Sequence, residues 1–205
     1  NIERLSITCR GQVKTNAEYN GVMGRHRGYV PLWLFKRQTT LTKPGKLIRQ
    51  MLKTLEEQEF ANDVDRLHQL SAFVLSQVEY RPGTTDSSTT GEEAAEQRTG
   101  VCQDHAHIFI SMAREMGFAA RYVGGYLYMP DTDHQQAGHA WAEAWVDGLG
   151  WVGFDISNGI SPDEKYVRVA TGFDYSDAAP ITSMSFGARD KSMSVDLQVM
   201  QGSQQ

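Results

Sequence analysis

The chain has 205 residues, 40% of them hydrophobic and 22% charged, with a formal net charge of −5. That length and balance suit one globular domain with a sizeable core, or one domain with part of another. No stretch approaches the roughly 20 consecutive apolar residues that a bilayer-spanning helix needs, and no basic run marks a nucleic-acid or membrane-surface protein.

In chain order, residues 4–14 and 18–24 read as two strands, with Glu18-Tyr19-Asn20-Gly21 as turn chemistry near their junction. Leu5, Ile7 and Cys9 alternate with Ser6, Thr8 and Arg10, which places Cys9 on an apolar strand face as a small core side chain. Pro31–Phe35 reads as a buried connector. Pro44 then opens a helix carrying Leu47, Ile48, Met51, Leu52 and Leu55 at helical spacing. Asn62 or Asp63 caps a second helix, whose apolar face is Val64, Leu67, Leu70, Phe73, Val74 and Val78.

Residues 81–91, rich in Pro, Gly, Ser and Thr, form a surface loop. A short helix, Glu92–Gln97, follows. A longer one runs from about Cys102 to Glu115 and ends at Gly117. Beyond it the pattern turns to strands: Phe118–Met129, His139–Val146, Trp151–Phe154, Tyr166–Thr171 and Ser192–Met200. Helices followed by strands predict an α+β domain with an antiparallel sheet. The chain begins at Asn1 rather than Met, so its true N-terminus is expected to be missing and the lack of a leader carries no weight. The expected compartment is cytoplasmic.

Two cysteines do not make a disulfide framework. Cys102 differs from Cys9 in opening a helix, where unpaired N–H groups and the positive end of the macrodipole favour a thiolate and can hold an acyl oxyanion. A thiolate nucleophile also needs a base. Residues 138–146, Gly-His-Ala-Trp-Ala-Glu-Ala-Trp-Val, read as a strand with His139, Trp141, Glu143 and Trp145 on one face and the alanines on the other. Gly148-Leu149-Gly150 turns the chain, and Asp155 ends the return strand at the level of His139. There its carboxylate can fix the imidazole tautomer. Cys102, His139 and Asp155 are therefore the candidate nucleophile, base and orienting acid.

These segments also resemble a known family. Gly-Val-Cys-Gln-Asp-His-Ala at 100–106, the block at 138–146 and Gly-Phe-Asp-Ile-Ser-Asn-Gly at 153–159 are similar to the three blocks of the bacterial transglutaminase-like superfamily. Residues 120–126, Ala-Arg-Tyr-Val-Gly-Gly-Tyr, resemble its linking strand, and residues 172–180 resemble a downstream block of its cysteine protease subgroup. The resemblance runs from about Leu67 to Gly187. It implies a papain-like core whose nucleophile helix packs on an antiparallel sheet, with the same three residues as the triad. It implies that residues 1–30 are the last strands of a preceding β domain and that 31–205 are the core. Two positions depart from the pattern: Ile156-Ser157 replaces Pro-Thr in the third block, and Phe173 replaces the Arg that precedes Asp-Tyr.

The expected activity is thiol-dependent acyl transfer on peptide or side-chain amides, chiefly hydrolysis, with a protein or peptide substrate and no cofactor. Transamidation is the alternative outcome of the same chemistry. Acyl transfer from a thioester, as in arylamine acetyltransferases, fits the blocks less well, and a silent peptide-binding module is the reading outside enzymes. A metal pool of Cys102, Asp104, His105, His107, His134 and His139 is the competing use of the same residues. His134 lies in a polar hairpin tip, and His105 and His107 read as polar packing. Gln103 and Tyr80 are candidate oxyanion donors, and the resemblance alone places Asp174 and Tyr175 at the cleft. Glu143 is open between a role at the site and a solvent-facing position. Trp141, Trp145 and Trp151 read as core.

Overall fold

The computed structural model describes residues 5–16, 18, 20–130, 134–135, 138–182 and 194–200. Four helices come first or lie between short strands: α1 (Lys46–Glu56), α2 (Asp63–Gln77), α3 (Gly91–Gln97) and α4 (Cys102–Glu115). Strands β1 (Val22–Gly24), β2 (Glu79–Tyr80) and β3 (Thr99–Gly100) precede α4. After it come β4 (Ala120–Leu127), β5 (His134–Gln135), β6 (His139–Val146), β7 (Gly150–Phe154), β8 (Tyr166–Gly172), the short α5 (Tyr175–Ala178) and β9 (Leu197–Gln198). The main sheet has the order β1-β7-β6-β4-β8 and is antiparallel throughout. The α+β architecture with a helix on an antiparallel sheet is as the sequence implies.

Each helix starts on an identifiable signal. The Glu92 carboxylate reaches across from α3 to cap α1, accepting from the N–H groups of Gly45, Leu47 and Ile48 at 2.8, 2.6 and 3.1 Å. Gly45 has to lack a side chain because a Cβ there would collide with that carboxylate. The Asn62 side chain caps α2 through the Asp65 N–H at 3.0 Å. Thr90 and Glu93 cap α3 reciprocally. Helix α4 ends in a Schellman turn: the Phe118 and Gly117 N–H groups donate to the Ala113 and Arg114 carbonyls, with Gly117 at φ +91°.

The core lies between α4 and one face of the sheet. Ala140, Ala142 and Ala144 of β6 face the helix, together with Ala120 and Tyr122 of β4, Phe154 of β7, and Ile108, Phe109 and Met112 of α4 itself. Such small side chains let the helix approach the strand closely. The opposite face carries Trp141, Val123 and Tyr166 in a separate cluster. This is the alternation expected of residues 139–146.

Four expectations need correction. Residues 5–14 carry no strand, and Cys9 is exposed together with Leu5 and Ile7. Apolar alternation specifies a strand face only where a partner strand is present, and none of the described residues pairs with this segment. Of 18–24 only Val22–Gly24 is strand; it pairs with β7 at the sheet edge. The connector at Leu32–Lys36 is a 3-10 turn that buries Phe35 and leaves Trp33 exposed. In the last expected strand, residues 192–193 lie outside the described residues, and only Leu197–Gln198 pairs, with His134–Gln135.

Candidate active site

Cys102 is the first residue of α4, half-buried at the end of the helix nearest the β2–β3 ladder. The turn before it is braced by Asp104, whose Oδ2 accepts from the Val101 N–H at 2.8 Å and from the Thr85 hydroxyl at 2.6 Å. Gly100 is required here. A Cβ would fall 2.8 Å from the Asp104 Cβ, so the bulk that glycine avoids would displace this brace. Burial raises the Asp104 pKa from the ordinary carboxylate value, outweighing the bonds from Thr85 and Val101. The same brace ties the loop at 81–90 to the helix start, aided by the Arg81 N–H donating to the Gly100 carbonyl at 2.8 Å.

His139 opens β6 opposite Gly125 of β4. Its Nε2–H donates to Asp155 Oδ2 at 2.6 Å, and the Cys102 thiol is also within hydrogen-bonding reach of the ring. Burial alone would lower the His139 pKa. Hydrogen bonding to Asp155 and to Cys102, and the charges on both, push it up to about 10. Both neighbours thus favour the protonated ring.

Asp155 follows β7, whose register sets Phe154 opposite Ala142. A tight turn, closed by mutual backbone bonds between Asp155 and Ile160, holds its backbone. Its carboxylate is fully buried and accepts four donors. Oδ2 takes His139 Nε2–H, the Tyr166 hydroxyl at 2.6 Å and Asn158 Nδ2–H at 2.7 Å, and Oδ1 takes the Asn158 N–H at 3.2 Å. Burial would raise its pKa; the bonds from His139, Tyr166 and Asn158 win and lower it. The structure therefore brings Cys102, His139 and Asp155 together as a chain of thiol, imidazole and carboxylate.

A family model for the transglutaminase-like superfamily matches residues 49–156, just over half of the chain, and its span contains all three residues. The chain belongs to the transglutaminase-like superfamily. This transglutaminase-like chain is 39% identical over 118 residues to an uncharacterized protein of Mycobacterium leprae, covering 55% of this chain and 41% of the relative. It is 34% identical over 152 residues to one of Mycobacterium tuberculosis, covering 68% and 48%. It spans somewhat less than half the length of these curated relatives. A solved Cytophaga hutchinsonii structure, named a putative cysteine protease, superposes with a TM-score of 0.61 at 30% identity, over 71% of this chain and 48% of that one.

The remaining sequence candidates fall in different places. Tyr80 pairs with Gly100 through the parallel β2–β3 ladder, which sets it beside the start of α4. Burial raises its pKa, and the charges of Cys102 and Asp155 add to this. Gln103 points to the loop instead, donating to the Asp86 carbonyl at 3.4 Å. Members of the metal pool are bound up separately. His105 donates from Nε2 to the Val78 carbonyl at 3.0 Å and accepts the Ser157 hydroxyl at Nδ1 at 2.9 Å. His107 accepts the Tyr175 N–H at 3.2 Å, and burial lowers its pKa to about 4. His134 lies in β5, with its side chain outside the described ones. Asp174 caps α5 through the Ser176 N–H and lies near His107.

Glu143 is fully buried on the face away from α4, between Arg121 and Arg168 at 2.6 and 2.7 Å, with the Arg121 guanidinium 3.8 Å from the Trp151 ring centroid. It is an ion-pair centre within the fold rather than a group at the thiol. Trp141 and Trp151 are core, as expected. Sequence reasoning missed Tyr166, which reaches Asp155 because β8 pairs with β4 so that Tyr166 lies opposite Leu127, at the His139 end of the sheet. No local pattern announces that strand order.

Proposed function

We propose that this protein is a thiol-dependent acyl-transfer enzyme acting on peptide or side-chain amides, with hydrolysis as its main outcome. The observation that carries the reading is the His139 ring, bonded to buried Asp155 at 2.6 Å and within hydrogen-bonding reach of Cys102. The Cys102 thiolate attacks the amide carbonyl carbon. Its oxygen becomes an oxyanion beside the free N–H groups at the start of α4. His139 gives its proton to the leaving nitrogen, the C–N bond breaks, and a thioester remains on Cys102. Neutral His139 then takes a proton from water as the water oxygen attacks the thioester. The C–S bond breaks, leaving a carboxylic acid and the thiolate–imidazolium pair. Asp155 holds the ring in one tautomer throughout. The likeness to the Cytophaga hutchinsonii protein favours water over an amine as the second acceptor.

The test incubates the wild type and Cys102→Ala with casein in the presence of monodansylcadaverine. New peptide fragments that require Cys102 are the expected result. Dansyl incorporation without fragments would assign the chain to transamidation. Equal turnover by both proteins would end the thiol reading.

A further inference from the structure

Tyr122 lies on the face of β4 that meets α4. Its neighbours on that face of the sheet are small: Ala120 and Gly124 on its own strand, and Ala140, Ala142 and Ala144 on β6. It is the one large side chain among them. Its ring leans along the strand toward Gly124, where a Cβ would sit 3.8 Å from its Cε1. Gly124 and Gly125 pair with Ala140 and His139, so the ring runs toward the His139 end of the sheet.

The ring is locked in place. His107 of α4 packs against it at 5.3 Å, and Tyr175 meets it edge-on at 6.1 Å between centroids. The residue is only 3% exposed, yet its hydroxyl has no hydrogen-bond partner among the described residues. A phenol so placed keeps a donor in reserve. Burial raises its pKa above the ordinary phenol value, and the charge of Cys102 adds to this.

We propose that Tyr122 is a further catalytic residue, whose O–H donates to the oxyanion that forms when Cys102 attacks an acyl carbon. The inference rests on the acyl-transfer reading and adds to it a donor from the sheet, opposite the helix N–H groups. A preformed donor in a buried site needs no reorganisation as charge develops, which is the condition under which oxyanion donors act most strongly. Tyr80, 48% exposed, is the rival for this role.

Two probes that need no natural substrate test it. Iodoacetamide is attacked at a saturated carbon, so no oxyanion forms. Acetylation by p-nitrophenyl acetate passes through one. Tyr122→Phe keeps the ring and its packing and removes only the hydroxyl; unchanged circular dichroism and melting would verify the fold. The expected result is a fall of about 100-fold in the rate of Cys102 acetylation, with the alkylation rate kept within about threefold. Tyr80→Phe is expected to fall by less than Tyr122→Phe. Wild-type acetylation in Tyr122→Phe, or the main loss in Tyr80→Phe, would overturn the assignment. Equal losses with both probes would also overturn it, by placing the phenol on the thiolate rather than the oxyanion. A wild type whose Cys102 reacts no faster than free cysteine with either probe would instead bring down the acyl-transfer reading and this one with it.

Discussion

Replacing Asp155 with asparagine keeps the shape of the side chain and removes its charge. In the native protein one buried oxygen accepts from His139, Tyr166 and Asn158 at 2.6, 2.6 and 2.7 Å. Bonds to a charged group contribute about 1.5–3 kcal/mol against about 1 for neutral ones. Neutralising three of them should cost about 2–4 kcal/mol, or a fall in Tm of roughly 5–15 °C for a chain of this size. The pH dependence separates this from general damage. The His139 pKa is raised from 6.5 to about 10. A raised folded value means the stabilisation is complete below about pH 6.5 and is lost as pH climbs through about 10. At about 1.4 kcal/mol per tenfold, that loss is at most roughly 5 kcal/mol, shared between Asp155 and Cys102. Urea unfolding followed by tryptophan fluorescence at pH 6, 8 and 10 should show wild-type stability declining across the window and Asp155→Asn declining much less. Two curves that run parallel from pH 6 to 10 would refute the coupling of His139 to Asp155.

Three further variants test the frame around the site. Glu92→Gln should lower stability by about 1–2 kcal/mol by weakening three bonds to the start of α1, and Cys102 alkylation should proceed at the native rate; a loss of alkylation would mean α1 bears on the thiol directly. Glu143→Ala leaves Arg121 and Arg168 without their buried partner. The expected cost is about 3–5 kcal/mol in denaturant unfolding, and a change below about 1 would show that solvent reaches the pair freely. Gly125→Ala would drive a Cβ into the Val167 carbonyl and to 2.8 Å from the Trp141 ring. It should cost about 3 kcal/mol or more and shift Tyr166 off Asp155, so near-native melting would show that β8, whose register with β4 shifts between Gly124 and Gly125, yields easily at this point.

The candidate triad was legible because each member sits in a local pattern. Cys102 starts a periodic helix after Gly100, His139 starts an alternating strand, and Asp155 ends the strand that returns from it. Those signals lie within a few residues of each group, and hairpin geometry joins the last two. The alternation at Leu5–Cys9 was equally local and misled, because alternation describes a face while pairing needs a second strand. Glu143 could be placed on the correct face of β6, but its burial depends on Arg121 and Arg168 from two other strands. Tyr166 and Tyr122 were hidden for the same reason. Their positions follow from the order β7-β6-β4-β8, which sequence spacing does not encode. The bond from Asp104 to the Val101 N–H was a readable helix-start signal, three residues apart; its grip on Thr85 was not.

The alanines of β6 have a consequence beyond packing. Helix α4 carries the thiol and β6 carries the imidazole, and Ala140, Ala142 and Ala144 lie between the two elements. These methyl groups act as a spacer of fixed thickness, so the reach from sulfur to ring is gauged by small buried side chains. A single added methyl in that layer would move the Cys102 thiol and the His139 ring apart while leaving both in place chemically. Changes in the proposed chemistry should therefore be traceable to the protein's blandest side chains as readily as to the candidate triad.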